Sequence, residues 1–252
     1  MEKIKASFRV AITLCVIVLV VLAIVKMQSR KCEKIQVRFL YEGESPTLSE
    51  QSVLALLSTT NIPIIGEKLK EVDMKGITVA VTKHPYVERV NKLAFAGTTL
   101  IVSLELKMPV LHIFPANGKS YFMDKNGALL PYSSSVTENV IVANGAINQQ
   151  YDKNFNIDSC SKVMARLFLI SQAILEDPFS TAQFRQMYVN EKQEIELMPT
   201  VGNHVVLFGT EENACEKLFN LKETYSHALA YGMEHYKQLD ARYKNRIIAK
   251  KR

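Results

Sequence analysis

Glycine and proline are scarce in this sequence, with 10 Gly and 8 Pro among 252 residues. Their scarcity excludes a collagen-like or low-complexity chain. Hydrophobic residues make up 48% of the chain and charged residues 22%, a balance that excludes a wholly disordered protein. The length fits one or two modest domains.

Motifs for cofactors and metals are also missing. No glycine-rich phosphate loop occurs, and the five histidines show neither H-x-x-x-H nor another spacing typical of a metal site. We therefore predict no metal, no cofactor and no small-molecule substrate. The histidines, interpreted as solvated or packed side chains, are His84, His112, His204, His227 and His235.

One string has the spacing of a catalytic pair. Ser159 and Lys162 form an S-x-x-K pattern, which would place a serine hydroxyl one helical turn from a lysine able to deprotonate it. The companion motifs S-D-N and K-T-G are absent. Asp158 is instead predicted to cap a helix over 158–176. We therefore predict a protein that is not an enzyme. A membrane-anchored Ser–Lys hydrolase of the cell envelope is the alternative.

The four cysteines leave one candidate disulfide. Cys15 lies in an apolar segment and Cys32 lies just after it, so Cys160 and Cys215 are the only pair in the body of the chain. An extracytoplasmic compartment would permit them to form a disulfide. The alternative is two buried thiols.

The formal charge of +6 is confined to the ends of the chain. Residues 1–38 hold eight basic and two acidic residues, a balance of +6, and residues 39–252 are neutral. Within that neutral part, residues 237–252 hold seven basic residues against Asp240, so residues 39–236 carry −6. A nucleic-acid-binding domain would spread basic residues over a folded face, and we predict no nucleic acid partner.

An uncharged apolar run, Val10–Val25, follows the first basic residues. As a helix its sixteen residues span about 24 Å, and we predict a membrane anchor over 10–27 with Lys26 reaching the interface. No small-x-small cleavage site follows, which argues against the alternative, a cleaved signal peptide. More basic residues follow the run than precede it, and this distribution taken alone would place the body of the chain in the cytoplasm. Long domains, however, translocate largely regardless of charge. We expect a cytoplasmic stub over 1–9 and an extracytoplasmic body after a linker at 28–34.

The first part of the body, residues 35–107, has a mixed pattern. Residues 73–84 are ambiguous, because Asp73 suits a helix N-cap while the β-branched run after Gly76 favours a strand. Thr47 and Glu50 form a capping box ahead of a short helix. The predicted strands are Gln36–Tyr41, Val87–Phe95 and Thr99–Lys107.

The second part, residues 108–249, is predicted to be rich in β-structure. The helix over 158–176 ends before Pro178, and Thr210 is predicted to cap another helix that extends to about Leu229. The predicted strands are Val110–Phe114, Tyr121–Met123, Ala128–Pro131, Val140–Ala143, Gln186–Asn190, Glu194–Leu197 and His204–Phe208. Residues 239–248 alternate apolar and polar side chains, which predicts a last, half-buried strand with a cationic outer face. Residues 250–252 form a basic tail.

Five short strings, in order along nearly the whole chain, match one known family. They are His84-Pro85-Tyr86-Val87, Leu104-Glu105-Leu106-Lys107-Met108-Pro109-Val110, Tyr121-Phe122-Met123-Asp124-Lys125-Asn126-Gly127, Ile195-Glu196-Leu197 and Leu239-Asp240-Ala241-Arg242-Tyr243-Lys244-Asn245. On these strings the chain resembles the FtsQ/DivIB family of bacterial cell-division proteins. It departs from the usual family pattern at Lys107-Met108 and at Ala241.

The resemblance implies an α+β architecture: a single N-terminal transmembrane helix, a βααββ POTRA domain, and a β-rich domain with helices on one side and a C-terminal strand. It therefore assigns residues 73–84 to a helix. It also implies a non-catalytic scaffold of the inner membrane at the division septum, which links early and late division proteins. A POTRA-bearing outer-membrane assembly factor is disfavoured, because no long alternating barrel region follows.

The resemblance further implies the partners. FtsB-like and FtsL-like coiled-coil proteins would bind the distal end of the β-domain and thereby control septal peptidoglycan synthesis, and other division proteins would use the POTRA surface. Tyr243 is expected to pack beside the incoming chain, and Arg242 to pair with a carboxylate. The predicted partner-binding residues are Arg242, Tyr243, Lys244, Asn245, Arg246 and Ile247.

Overall fold

The computed structural model describes residues 14–22, 29–41, 47–136, 140–228 and 232–252. Its internal contacts divide the chain into two compact units. The first comprises the residues up to Tyr41 together with Leu48–Leu106, and the second includes Lys107–Arg252.

The N-terminal helix α1 is described over residues 14–22, and its apolar side chains are exposed. The rest of the predicted anchor at 10–27 and the predicted stub at 1–9 lie outside the described residues. Among the residues that are described, no helix has the length and hydropathy needed to cross a membrane.

The first unit has the element order β-α-α-β-β. Its three-stranded sheet has the order β1-β3-β2, in which β1 runs parallel to β3 and β2 runs antiparallel to it. The central strand β3 buries every second residue, including Leu100, Val102 and Leu104, against a core that also contains Val53 and Ile77. The elements are β1 (Lys34–Leu40), α2 (Glu50–Thr59), α3 (Met74–Thr82), β2 (Val87–Ala96) and β3 (Thr99–Leu106).

The ambiguous segment at 73–84 is a helix. The Asp73 carboxylate accepts a hydrogen bond from the Gly76 amide at 2.9 Å, which satisfies one free donor of the first turn of α3. A Cβ at Gly76 would crowd the Asp73 carboxylate, so glycine leaves room for the capping side chain. Ile77 and Val81, one turn apart, are fully buried. Capping and burial together outweigh the β-propensity of the run.

The capping box predicted ahead of α2 is wrong. Ser49, two residues after Thr47, is the N-cap, and its hydroxyl accepts from the Ser52 amide at 3.1 Å. The Glu50 carboxylate instead accepts from the Val37 amide of β1 at 3.3 Å. A tertiary contact therefore replaces the reciprocal bond of a capping box.

The second unit is built on a nine-stranded sheet of order β12-β11-β10-β9-β8-β7-β4-β5-β6. Its strands are β4 (Pro109–Ile113), β5 (Tyr121–Asp124), β6 (Leu129–Pro131), β7 (Ile141–Gly145), β8 (Phe184–Val189), β9 (Ile195–Pro199), β10 (Val205–Gly209), β11 (Tyr236–Asp240) and β12 (Ile248–Lys251). Its helices are α4 (Lys162–Glu176), α5 (Pro178–Gln183) and α6 (Ala214–Ala228), with 3₁₀ turns at Ile157–Ser159 and Met233–His235.

The helices and the sheet of this unit share one core. Leu167 and Ile170 of α4 and Leu221 of α6 are fully buried in the same cluster as Met187 and Leu197 of the sheet. Truncation of one such leucine to alanine costs about 2–5 kcal/mol of stability. This core holds the strands that carry the C-terminal segment.

Two predicted helix starts in this unit are wrong, and one predicted end is confirmed. Ser161, not Asp158, caps α4, and its hydroxyl accepts from the Met164 amide at 3.4 Å. Helix α4 ends at Glu176, before Pro178, as predicted. Pro178 then begins α5, a short helix that was not predicted. The third helix begins at Ala214, four residues after the predicted Thr210 cap. Its predicted end at Leu229 lies outside the described residues.

The single terminal strand predicted over 239–248 is also wrong. The chain forms β11, leaves the sheet over residues 241–247, and returns as β12, which pairs antiparallel with β11. Asn245 adopts a φ of 58° within the connection, a left-handed conformation that a continuous strand cannot contain. We call residues 241–247 the C-terminal loop, and β11, this loop and β12 the C-terminal hairpin.

Candidate partner-binding surface

Strand β12 forms one edge of the nine-stranded sheet. Its inner side pairs with β11, and within the part of the chain that the structure describes no strand pairs with its outer side. All four of its residues are exposed. The other edge, β6, is three residues long and includes Pro131, which cannot donate a main-chain hydrogen bond. An exposed edge strand such as β12 can pair with a strand from another protein.

The direction of the free main-chain donors follows from one hydrogen bond. The Arg252 amide donates to the His235 carbonyl at 3.0 Å, toward the sheet. Successive amides of a strand point to opposite sides, so the amides of Ala249 and Lys251 point outward. These two donors are the ones that an added strand would use.

The predicted partner residues lie in the C-terminal loop and not in a strand. Tyr243 is 48% exposed. Ile247 is half-buried against the core of the unit, and it anchors the end of the loop. The remaining loop cations and amide are exposed: Lys244, Asn245 and Arg246.

Arg242 is bound within the protein. Its Nε and Nη2 donate to the two oxygens of the Asp240 carboxylate at 2.9 and 2.7 Å, and its main-chain amide donates to the same group at 3.1 Å. Its Nη1 donates to the Glu194 carboxylate at 3.2 Å. The hydrogen bonds from the Arg242 side chain hold the pKa of Asp240 below its usual range, and the Asp240 carboxylate raises the pKa of Arg242.

Gly209, at the end of β10, makes room for the Arg242 side chain. A Cβ on Gly209 would lie 2.9 Å from Cγ of Arg242, and the glycine has a φ of 82° that other residues rarely adopt. The Ala241 amide donates to the Leu207 carbonyl at 2.9 Å. The start of the loop is therefore packed against β10.

A polar cavity of about 210 Å³ lies between the C-terminal loop and the first turns of α6. The Lys217 ammonium beside it donates to the carbonyls of Phe208 and Thr210 at 3.2 and 2.9 Å and lies over the Phe208 ring. Burial lowers the pKa of Lys217. On the α6 side of this cavity, the Lys217 ammonium is therefore held by two main-chain carbonyls.

A family comparison agrees with this architecture. The family model described as FtsQ/DivIB, C-terminal related, matches residues 108–250, more than half of the chain and almost all of the second unit. The chain belongs to the FtsQ/DivIB family. The resemblance inferred from the sequence is thereby confirmed. A search of curated proteins found no match.

Membership in the FtsQ/DivIB family supports a role in cell division and implies a membrane-associated protein at the division site. FtsQ/DivIB proteins are division scaffolds without catalytic activity. The fold is of the mixed α+β class, as predicted, and it contains a large sheet.

The S-x-x-K string of this FtsQ/DivIB chain does not have the geometry of a catalytic pair. Ser159 ends a 3₁₀ turn and Lys162 begins α4, with extended backbone at Cys160 and Ser161 between them. The one-turn helical spacing on which the hydrolase hypothesis depends is therefore not formed. Both residues are exposed.

The histidines and cysteines form no metal site among the described residues. His204 is buried and its Nε2 lies 2.6 Å from the Tyr225 hydroxyl, while His227 and His235 are exposed. Cys160 and Cys215 are both unpaired, so the candidate disulfide is not formed. The alternative of two buried thiols is also wrong, because Cys215 is exposed on α6.

Two residues of the candidate site were not identified from the sequence. Asp240 lies two residues before Arg242, and in a strand such residues point to the same face. Their opposite charges could therefore have indicated the pair from the sequence. Glu194 lies 48 residues from Arg242, and no local pattern links the two.

Proposed function

We propose that this FtsQ/DivIB chain is a division scaffold whose C-terminal hairpin binds a strand of a partner protein along β12. The partner is an FtsB-like coiled-coil protein, acting together with an FtsL-like protein. The scaffold thereby links early and late division proteins and controls septal peptidoglycan synthesis. The observation that carries this proposal is the exposed edge of β12 in the unit that matches the family.

Binding would use main-chain and side-chain contacts in different roles. The outward amides of Ala249 and Lys251 would give affinity through added sheet hydrogen bonds, and the side chains would give selectivity. Tyr243 would pack beside the incoming chain. Lys244 and Arg246, both exposed, favour an acidic partner segment.

The remainder of the chain would place this hairpin outside the cytoplasm. We propose that residues 10–27 anchor the protein in the membrane and that residues 35–107 form a POTRA domain available to other division proteins. The β-α-α-β-β order of the first unit supports the POTRA assignment. The anchor predicts that the mature protein retains Met1 or Glu2 and stays in the membrane at high salt. A mature N-terminus near Gln28 would instead identify a cleaved signal peptide.

The edge proposal is tested by the substitution Ala249→Pro in the full-length protein. Proline removes the outward amide of residue 249 without removing a bond to β11, and it is tolerated on edge strands. The matched control is Ala249→Val, which keeps the amide. Binding to the full-length FtsB-like partner of the same organism, measured in detergent, should weaken at least about tenfold for Ala249→Pro and change less than about twofold for Ala249→Val. Wild-type binding by a folded Ala249→Pro protein would contradict the proposal.

A further inference from the structure

An apolar patch lies on the exposed side of helices α4 and α6 in the second unit. Phe219 of α6 is 61% exposed, and Leu169 of α4 is 47% exposed. Cys215, one helical turn before Phe219, is exposed as well, so the two side chains form one stripe along α6. Single exposed apolar residues are normal, whereas a contiguous group of them marks a contact surface.

A cavity of about 240 Å³ lies between the two helices, and Phe219 forms part of its wall. We call it the α4–α6 cavity. Two of its other lining residues, Ala173 and Leu218, are buried apolar side chains. Leu169 lies one turn before Ala173 and faces the same side of α4. An apolar cavity of about 150 Å³ can hold a benzene molecule, so the α4–α6 cavity has room for a phenyl ring.

Both signs of charge occur at the rim of the α4–α6 cavity. The Lys222 ammonium donates to the Asp177 carboxylate at 2.9 Å, and the exposed Glu176 lines the cavity beside this pair. A partner with residues of one sign only would therefore meet like charges at the rim. A surface with the same mixture of charges, related by a two-fold axis, can place each Lys222 opposite the Glu176 of the other copy.

We propose that this patch is the interface of a two-fold symmetric dimer, in which each copy inserts Phe219 into the α4–α6 cavity of the other. A protruding side chain and a cavity on separate surfaces would build an open chain of copies, whereas on one surface they close at two. The patch has far fewer residues than the roughly 20–30 per partner of a standard interface, so the dimer is weak. The edge of β12 is not part of the patch, and the dimer does not depend on the proposed strand binding.

Analytical ultracentrifugation of the full-length protein in detergent, over a range of concentrations, tests the interface. Phe219→Glu places a carboxylate where the phenyl ring would be buried, and it should raise the dissociation constant of the dimer at least about tenfold. Val201→Glu is the matched control, because Val201 is 70% exposed in the turn between β9 and β10, outside the patch. This control adds the same charge and should change the dissociation constant less than about twofold.

Cys215 supplies a second measurement, made on the full-length protein in membranes. It lies about 6 Å from Phe219 along the axis of α6, so exchange of the two phenyl rings brings the two Cys215 thiols close together. A bifunctional maleimide, which forms a thioether with each thiol, should then join two copies of a Cys15→Ser protein. Adding Cys215→Ser should abolish the linked dimer, whereas adding Cys160→Ser, which removes the other cysteine of the second unit, should preserve it.

Three results would overturn the inference. The first is a protein that stays monomeric in detergent and is not linked through Cys215 in membranes. The second is self-association that Phe219→Glu leaves unchanged, since it would use a different surface. The third is Phe219-dependent binding of a different protein without self-association. Ala249→Pro should leave the dimer intact, so failure of the FtsB-like partner to bind would contradict only the proposed function.

Discussion

The guanidinium of Arg242 forms a bidentate ion pair with the carboxylate of Asp240, two residues earlier in the chain, through hydrogen bonds of 2.9 and 2.7 Å. The Arg242 amide donates to the same carboxylate at 3.1 Å, so a closed ring of contacts forms where β11 ends. This ring holds the chain in the turn that leads out of the sheet. The C-terminal loop is therefore presented from a structured base.

Removing the Asp240 charge should destabilise the hairpin. Asp240→Asn loses the charge-assisted pair with Arg242, and we expect a loss of about 1–2 kcal/mol after allowance for the partly exposed arginine. Chemical denaturation of the two proteins measures the difference. Arg246→Gln, in the same loop but exposed, should change stability by less than about 0.5 kcal/mol. Equal effects of the two substitutions would contradict a structural role for the Asp240 pair.

A methyl group at Gly209 should displace Arg242. Gly209→Ala introduces a Cβ 2.9 Å from Cγ of Arg242 at a φ of 82°. Gly118→Ala is the control, because its φ is 107° and its nearest neighbouring atom lies 3.8 Å away. We expect both variants to lose about 1 kcal/mol of stability, because alanine is strained at a positive φ. Gly209→Ala should lose more, because its new Cβ also displaces Arg242. In an Arg242→Ala background, Gly209→Ala should cost no more than Gly118→Ala does in the wild type. Thermal melting of the single and double variants measures these differences.

Acid should destabilise the protein through Asp177, the N-cap of α5. Burial would raise the pKa of this carboxyl, but hydrogen bonds from Ser180 and Lys222 outweigh it and lower the pKa to about 2, from an ordinary 3.8. Because the folded pKa is the lower one, the stabilisation is complete above about pH 4 and is lost as the pH falls toward 2. Asp177→Asn, which can still cap the helix, should flatten this pH dependence. Lys222→Gln should flatten it less, since the bonds from Ser180 remain.

His204 should make stability depend on pH near neutrality. Burial, followed by the nearby positive charge of Arg252, lowers the pKa of this histidine below 6.5. The neutral form is favoured in the folded protein, so its contribution is present above pH 6.5 and is lost as the pH falls through the lowered pKa. Burial lowers the pKa of His84 and His112 as well. The pH dependence of the wild-type stability therefore contains contributions from all three histidines. His204→Gln should reduce the loss of stability between pH 7 and pH 5, as measured by denaturation, without abolishing it.

Ser161 and Ser159 should differ in their structural importance. Ser161→Ala removes the N-cap of α4 and should cost about 1 kcal/mol, whereas the exposed Ser159→Ala should cost less than about 0.5 kcal/mol. Ser159→Ala and Lys162→Met should both leave complementation of a division defect intact. Loss of complementation with unchanged fold and abundance would instead support the hydrolase hypothesis.

The family and most helices and strands could be inferred from local patterns along the chain, although α5 and the break between β11 and β12 could not. For α3 the local pattern was ambiguous, with Asp73 suited to a cap, and the family resemblance assigned the segment to a helix. The helix predicted over 158–176 corresponds to α4. These features depend on residues within one or two helical turns of each other, which is the range over which capping and periodicity act. The strings that resembled the FtsQ/DivIB family identified the domain that the family model matches.

The construction of the candidate site depends on contacts between residues far apart in the sequence. Thr47 and Ser49 are both residue types that cap helices well, and Ser49 is the cap of α2. In the same turn the Glu50 carboxylate accepts a hydrogen bond from the Val37 amide of β1. Alternation over residues 239–248 could not reveal the break after β11, because pairing of β12 with β11 requires the chain to reverse. The contact of Arg242 with Glu194 joins residues 48 positions apart. Such contacts depend on the three-dimensional order of the strands, which no local pattern in the sequence encodes.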